Sequence, residues 1–247
     1  RLGFRRIEAF GTPRRLAIFA EGLSEKQAPL RDVVVGPPLS SGSRAAEGFA
    51  RKHGVDVTAL VENQGRFMVQ REIAGEPAHT LLAEILISCI RALPFAKPMR
   101  WGDRDETFAR PVIWLVATFG GEVLHFEFAG VSAGCETRGH RFHAPGPFAL
   151  RGDRDDYQRV LSDAHVIVDH ELRRKRVLQG IMGAVADTGL RLREDPELLA
   201  EVTWLVEEPH AVLGSFDARH LELPEAVIVS AMRRHQRYFA VEDADGR

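Results

Sequence analysis

Residues 112–128 read VIWLVATFGGEVLHFEF, and this stretch decides the fold class. Two runs rich in β-branched and aromatic residues flank Gly120-Gly121. A glycine pair at this point is typical of a tight hairpin turn, because glycine adopts positive φ without a steric penalty. The stretch therefore predicts antiparallel strands at 112–119 and 122–128, followed by a third strand at 135–142.

Sheet signals continue toward the beginning of the chain, whereas helical signals dominate after residue 153. The first thirty residues predict strands with a turn at TPRR (12–15), and Gly36-Pro37-Pro38 predicts a break. Ser43 is the predicted N-cap of a first helix that ends at Gly54. The further predictions are a short helix at 57–62, a strand at 66–73, a helix at 77–93, helices at 153–164, 169–188, 195–206 and 224–234, a strand at 210–214 and a final strand.

These elements predict an α+β fold with a sheet-rich first part, residues 1–150, and a helix-rich second part, residues 151–247. The long helix at 169–188 is highly charged and is expected to be well exposed. The composition of 45% hydrophobic and 28% charged residues is that of a globular protein. No apolar run approaches the roughly 18 residues that a bilayer helix needs, so no membrane association is expected.

The stretch LPFAKPMRWGDRDETFARPVIW, residues 93–114, combines basic residues, tryptophans and prolines. Proline fixes φ and removes a backbone donor, so the stretch predicts a shaped connection between elements. Arginine beside exposed aromatic rings is typical of a surface that binds phosphates and bases. A proline-rich loop with buried tryptophans is the alternative, and we expect Trp101 and Trp114 to support the fold and Arg104 to contact RNA.

Basic residues cluster at four places although the net charge is −2. Local patches of this kind neutralise phosphate even on a neutral protein, while a solvated basic edge is the alternative interpretation. The candidate RNA-binding residues are Arg14, Arg15, Lys97, Arg100, Arg104, Arg138, Arg141, Arg233 and Arg237.

The sequence carries none of the common catalytic motifs, such as a GxxxxGK[ST] loop, a GxSxG elbow or HExxH. Asp153, Asp155 and Asp156 are interpreted as acidic residues at a helix N-terminus. We expect no catalytic residue and no metal site, and the histidines to be structural. Two cysteines without a CxxC pattern fit a reducing, cytoplasmic location. Both ends of the sequence suggest a fragment of a longer polypeptide.

Five blocks in collinear order resemble one family: TPRRLAIFAEGL (12–23), AAEGFARKHGV (45–55), the block from Lys97 to Ala117 containing MRWGDRDETFARPV, RGHRF (138–142), and residues 201–241 ending in RRHQRYFAV. They are similar to the β subunits of bacterial glycyl-tRNA synthetases. The similarity covers nearly the whole chain. Arg234 departs from the family pattern, in which an acidic or small residue is common at that position.

The resemblance implies part of a large subunit in an α2β2 tetramer that charges tRNA(Gly) with glycine. In that family the α subunit carries the class II active site and uses ATP and Mg to form glycyl-adenylate, so no cofactor is expected in this chain. The β subunit supplies tRNA binding and continues into an HD-type and an anticodon-binding domain. Its N-terminal half resembles the B3/B4-type modules of phenylalanyl-tRNA synthetase β subunits.

Two other functions remain open at this point. The first alternative, by analogy with B3/B4 modules, is a hydrolase that deacylates mischarged tRNA. A shared fold is weak support for a shared function. Alternatively the region is a scaffold that only docks the α subunit. The leading hypothesis is a non-catalytic region that supports tRNA binding and tetramer assembly.

Overall fold

The computed structural model describes residues 2–246, and its contacts divide the chain into two compact units. Unit 1 contains the residues up to Arg6 together with Ala20–Ala92. Unit 2 contains Ile7–Phe19 and the residues from Leu93 onward.

The described residues form many short strands and six α-helices. The strands are β1 (Arg6–Thr12), β2 (Arg15–Glu21), β3 (Leu30–Pro38), β4 (Leu60–Asn63), β5 (Arg66–Ile73), β6 (Leu115–Val116), β7 (Thr118–Phe119), β8 (Glu122–Val123), β9 (Glu127–Phe128), β10 (Val131–Gly134), β11 (Glu136–Arg138), β12 (Pro147–Ala149), β13 (Arg191–Leu192) and β14 (Val241–Glu242). The helices are α1 (Gly42–His53), α2 (Ala78–Ala92), α3 (Arg154–Asp163), α4 (His170–Val185), α5 (Pro196–Thr203) and α6 (Glu225–Ala231). The predicted α+β class is confirmed.

Unit 1 is built on an antiparallel sheet with the strand order β3-β5-β4. Val34 and Leu60 both pair with Val69, which places these three side chains on one face of the sheet. Helix α1 contacts this sheet, and a Cβ on Gly36 would lie only 2.5 Å from the ring of Phe49. Glycine at this position therefore allows the helix to approach the strand closely.

The core of unit 2 joins the β1–β2 hairpin to helix α3. Phe10 and Phe19 pack edge to face, with ring centroids 5.9 Å apart, and Phe19 packs on Tyr157 at 5.4 Å. Leu150 and Leu161 belong to the same buried cluster. This cluster therefore contains residues from both sides of the predicted boundary between residues 150 and 151. The division into a sheet-rich and a helix-rich part stays a prediction.

The predicted glycine hairpin is present in unit 2. Thr118 pairs with Val123 and Phe119 with Glu122, while Gly120 and Gly121 both have positive φ. The two strands of this hairpin, β7 and β8, are shorter than the predicted strands. Residues 115–116 form the separate strand β6, which pairs in parallel with β10. The predicted strand at 135–142 is regular only over β11, which pairs with β12.

Aspartates cap three of the helices in unit 2, near the predicted starts of those helices. Asp153 accepts a hydrogen bond from the Asp156 N–H, Asp169 from the Leu172 N–H, and Asp195 from the Leu198 N–H. Each carboxylate satisfies a backbone donor that has no partner within its helix and also interacts favourably with the helix dipole.

Several local predictions were wrong. Helix α1 begins at Gly42, so Ser43 lies inside the helix, and the predicted helix at 57–62 is a 3₁₀ turn (Val57–Ala59) that leads into β4. Strand β3 continues through Gly36-Pro37-Pro38 by an irregularity in its register. Residues 210–214 form no strand, because they find no pairing partner. Helix α6 continues as a π-helical turn, Met232–Gln236.

Helix α4 differs most from its prediction, because one of its charged residues is fully buried. Arg173 is 0% exposed. Its guanidinium donates hydrogen bonds to four backbone carbonyls: those of Thr203 (2.8 Å), Ile167 (2.5 Å), Val168 (3.3 Å) and Gly11 (2.8 Å). One side chain thus connects α4 to the end of α5, to the segment before α4 and to strand β1.

Burial lowers the pKa of Arg173, and the carboxylates of Glu207 and Asp169 oppose this effect. The guanidinium also lies over the ring of Trp204, 5.6 Å from its centroid. The two carboxylates and the indole ring all favour the charged form of the buried Arg173 side chain.

No helix in the described part of the chain is long and apolar enough to cross a membrane.

Replacement of Arg173 by methionine is expected to destabilise unit 2 strongly. The substitution keeps the bulk of the side chain but leaves several buried carbonyls without a donor, which predicts a loss of about 3–5 kcal/mol in the free energy of unfolding. Urea unfolding followed by circular dichroism measures this loss. The control is Arg174→Met, an exposed neighbour on α4 that should change stability by less than about 0.5 kcal/mol. Equal effects of the two substitutions would contradict the anchoring role.

Asp156 predicts a pH dependence of stability. Its carboxylate accepts hydrogen bonds from the Arg151 N–H (2.7 Å) and from the Arg159 guanidinium (2.6 Å). These bonds lower the pKa of Asp156, and the bond from Arg151 contributes most. The stabilisation is therefore present above the unfolded-state pKa and is lost as the pH falls through the lower folded-state pKa. We expect Asp156→Asn to be less stable than the wild type at pH 7.

This stability difference should shrink as the pH approaches 2, where the native carboxyl is also neutral. Urea unfolding at pH 7, 5 and 3 provides the measurement. Asp163→Asn is a suitable control, because Asp163 is a more exposed partner of the same Arg159. A difference that stays constant with pH would show that the charge of Asp156 is unimportant.

Candidate nucleic-acid interface

A buried carboxylate organises the basic residues that follow strand β1. Glu207 is 5% exposed and accepts hydrogen bonds from the Thr12 hydroxyl (2.6 Å) and the Arg15 Nε (3.0 Å). Arg15 also donates from Nη1 to the backbone carbonyl of Arg138 at 2.7 Å. The Glu207–Arg15 ion pair therefore connects the TPRR turn with the end of β11.

Trp114 packs against the arginines of this turn. The guanidinium carbons of Arg14 and Arg15 lie 5.9 and 5.6 Å from the centroid of its ring. Cations over an indole ring are attracted to its negative face. Trp114 thus contributes to the arrangement of the arginines as well as to packing.

Three arginines line one open cavity of about 160 Å³ above this buried pair. Its lining consists of Arg14, Ile113, Arg138, Gly139, Arg141 and Pro145, with no carboxylate among them. The Arg138 and Arg141 side chains are exposed, whereas Arg14 is partly buried. The cavity is therefore lined by three basic residues, two of them exposed, and this suits an anionic oxygen-bearing group.

Arg14 lies among charges of both signs. Burial lowers its pKa most, and the nearby charges of Arg15, Arg141 and Arg110 lower it further, while Glu207 raises it. Its buried Nη1 lies 3.9 Å from a Glu207 oxygen and makes no hydrogen bond with the described residues. The charge of Arg14 is thus balanced chiefly by Glu207.

A histidine-supported turn presents an aromatic ring beside the cavity. The backbone N–H groups of Phe142 and His143 donate to Nδ1 of His140, each at 3.3 Å. The His140 and His143 rings stack with centroids 4.5 Å apart, and burial lowers the pKa of His140. Phe142 is 79% exposed, with the Arg141 guanidinium 5.6 Å from its ring centroid.

The proline-rich segment, residues 93–114, carries a second set of basic groups. Arg100 pairs with the fully exposed Asp105 at 3.0 Å, and Lys97 is exposed. The guanidinium of Arg104 lies directly over Gly130, where a Cβ would overlap it. Trp101 is half-buried. None of these residues lines the three-arginine cavity.

Two further candidates are held by carboxylates. Arg233 forms ion pairs with Asp195 and, at 2.8 Å, with Glu197, while Arg237 pairs with Glu201 at 2.6 Å. These pairs join the π-helical turn to α5. The predicted RNA-binding role of Arg233 and Arg237 stays a prediction, and their observed contacts are internal.

The structure brings only part of the predicted set together. Arg14, Arg138 and Arg141 line one cavity, and Arg15 lies buried beneath it. Sequence analysis missed Glu207 and Arg173, because a buried charge inside a charged run cannot be distinguished from exposed neighbours by pattern.

Phe142 belongs to the RGHRF block but is not among the candidate RNA-binding residues predicted from the sequence, because its exposure cannot be inferred from its residue type. Among the described residues, no group of three or more His, Cys, Asp or Glu side chains is placed to hold a metal ion. The site can therefore be described chemically as cationic and aromatic.

Comparison with known proteins identifies the family. The family model "Glycyl-tRNA synthetase beta subunit" matches residues 1–247. The "Glycine--tRNA ligase beta subunit" of Moorella thermoacetica is 44% identical over 258 residues, covering 100% of this chain and 37% of that protein. The subunits of the same name from Anaeromyxobacter dehalogenans and Halothermothrix orenii are 43% and 42% identical and also cover 100% of this chain.

The chain spans 37% of the length of these curated relatives. The similarity is nevertheless continuous over the whole chain, so it covers the TPRR turn, the proline-rich segment and the RGHRF turn together. On this evidence the chain belongs to the glycyl-tRNA synthetase β-subunit family.

Proposed function

We propose that the chain is a non-catalytic region of a glycine–tRNA ligase β subunit that supports tRNA binding and tetramer assembly. Membership of the β-subunit family is the observation that carries this proposal. The exposed basic residues of unit 2 supply the groups that would contact tRNA. The enzyme as a whole would charge tRNA(Gly) with glycine at the expense of ATP.

The proposal assigns adenylate chemistry to the α subunit of an α2β2 assembly, where ATP and Mg would bind. It places the complex in the cytoplasm, where its tRNA substrate is used. This chain would contribute cationic surface, since arginine and lysine neutralise phosphates and release counterions from RNA.

Exposure decides which basic residues are the best candidates for RNA contact. Lys97 is exposed, and Arg100 keeps 61% of its side chain accessible although it pairs with Asp105. An ion pair at such an exposed position contributes little to stability. A phosphate can therefore replace the carboxylate with little penalty, in contrast to the buried pair of Arg15 and Glu207.

The double substitution Lys97→Gln and Arg100→Gln in the full-length β subunit, assembled with its α subunit, tests the proposal. We expect tRNA affinity to fall several-fold and the slope of log affinity against log salt to become shallower by about 1 to 2, because two phosphate contacts are lost. Glycyl-adenylate formation without tRNA should be unchanged. Filter binding over a salt series and ATP–pyrophosphate exchange measure the two quantities.

Lys175→Gln with Arg176→Gln is the matched control, since it removes the same charges from exposed positions on α4. Equal loss of affinity in both variants would show a nonspecific charge effect and contradict a defined surface at the proline-rich segment. Hydrolysis of mischarged tRNA by the wild-type enzyme would instead support the editing function. Loss of α-subunit binding with unchanged tRNA affinity would support the scaffold function.

A further inference from the structure

The three-arginine cavity and the RGHRF turn lie side by side in unit 2 and have different chemistry. The cavity offers charged donors from Arg14, Arg138 and Arg141, while the turn offers the exposed ring of Phe142. Arg141 belongs to both, because it lines the cavity and its guanidinium lies 5.6 Å from the Phe142 ring centroid. A ligand with an anionic group next to a flat ring matches this juxtaposition.

We propose that this site binds one nucleotide of a single-stranded RNA segment, with a backbone phosphate among Arg14, Arg138 and Arg141 and the base stacked on Phe142. The inference deepens the proposed function and rests on it, since RNA is the ligand in both. It adds to that function a defined site and a preference for single-stranded over duplex RNA.

The size and lining of the cavity support a phosphate. A volume of about 160 Å³ is far larger than the 10–15 Å³ of space that holds one water molecule. Guanidinium groups bind phosphate oxygens through paired N–H donors. The lining includes no carboxylate that would compete for these donors, and Ile113 and Pro145 provide apolar walls against which a ribose can pack.

The buried layer beneath the cavity holds it in shape before any ligand binds. Arg15, fixed by Glu207, donates to the carbonyl of Arg138 and, at 3.5 Å, to that of Gly139. Arg14 has a buried Nη1 donor without an acceptor among the described residues. The backbone that carries Arg138 and Gly139 is thus placed in advance, which reduces the ordering that binding would require.

The exposure of Phe142 favours single-stranded over duplex RNA. The Phe142 side chain is 79% exposed and so available for stacking, and the His140 acceptor fixes the backbone that carries it. Bases in an RNA duplex are stacked on one another and are inaccessible to a protein ring. Unpaired bases are free to stack on phenylalanine.

The test uses the full-length β subunit in complex with its α subunit, and a six-nucleotide single-stranded RNA with 2-aminopurine at one internal position. We expect binding to change the 2-aminopurine fluorescence. Phe142→Leu should weaken binding by about five- to one-hundred-fold and abolish that change, because stacking on the ring is lost. Phe142→Tyr should restore both, because it keeps an aromatic ring.

Arg138→Gln with Arg141→Gln should lower affinity and reduce the salt slope by about 0.7 per phosphate contact for a single strand. Arg174→Gln with Arg176→Gln, exposed on α4, is the charge-matched control and should leave affinity unchanged. An RNA duplex of the same length should be insensitive to Phe142→Leu. Millimolar inorganic phosphate should compete only weakly, because it lacks a base.

Three results would overturn the inference: equal sensitivity of duplex and single strand to Phe142→Leu, unchanged single-strand binding in the cavity variants, or complete competition by inorganic phosphate. Each leaves the proposed function intact if Lys97→Gln with Arg100→Gln still weakens tRNA binding. If the wild-type complex binds neither tRNA nor the oligonucleotide, the proposed function fails as well.

Discussion

The guanidinium of Arg173 is the interaction on which the rest of unit 2 depends. It is fully buried and satisfies backbone carbonyls on β1, on the segment before α4 and at the end of α5. A buried charge of this kind is tolerated only when its donors are paired. Because hydrophobic packing is not directional, such a hub fixes the relative orientation of these elements more narrowly than packing alone.

Glu207 extends this polar core toward the surface. It follows α5 closely in sequence, and it accepts from Thr12 and from Arg15, which in turn binds the carbonyl of Arg138. A continuous set of hydrogen bonds thus runs from the buried interior to the rim of the arginine cavity. The exposed basic residues at that rim are held on a rigid support, and this suits recognition of a ligand whose charge is fixed in position.

The arginine clusters of the chain therefore have three different physical roles. Arg15 is a buried structural group, and Arg233 and Arg237 bind carboxylates on α5. Arg138 and Arg141 are exposed beside one cavity. The residue type is the same in all of these cases, and each cluster places its arginines within four positions of one another. The difference lies in which carboxylates and carbonyls surround each side chain, and these come from residues remote in sequence.

The sequence by itself determined what depends on local chemistry: the α+β class, the glycine hairpin at 120–121, the helices that begin close to Asp153, Asp169 and Asp195, and the family. Predictions from the sequence were wrong where a residue's interaction partners are remote in the chain. Residues 210–214 have a strand pattern without a pairing strand, and Arg173 has the pattern of an exposed helix residue although it is buried. Only the tertiary structure decided burial and ion pairing, because both depend on contacts such as Arg15 with Glu207, which are separated by 192 residues.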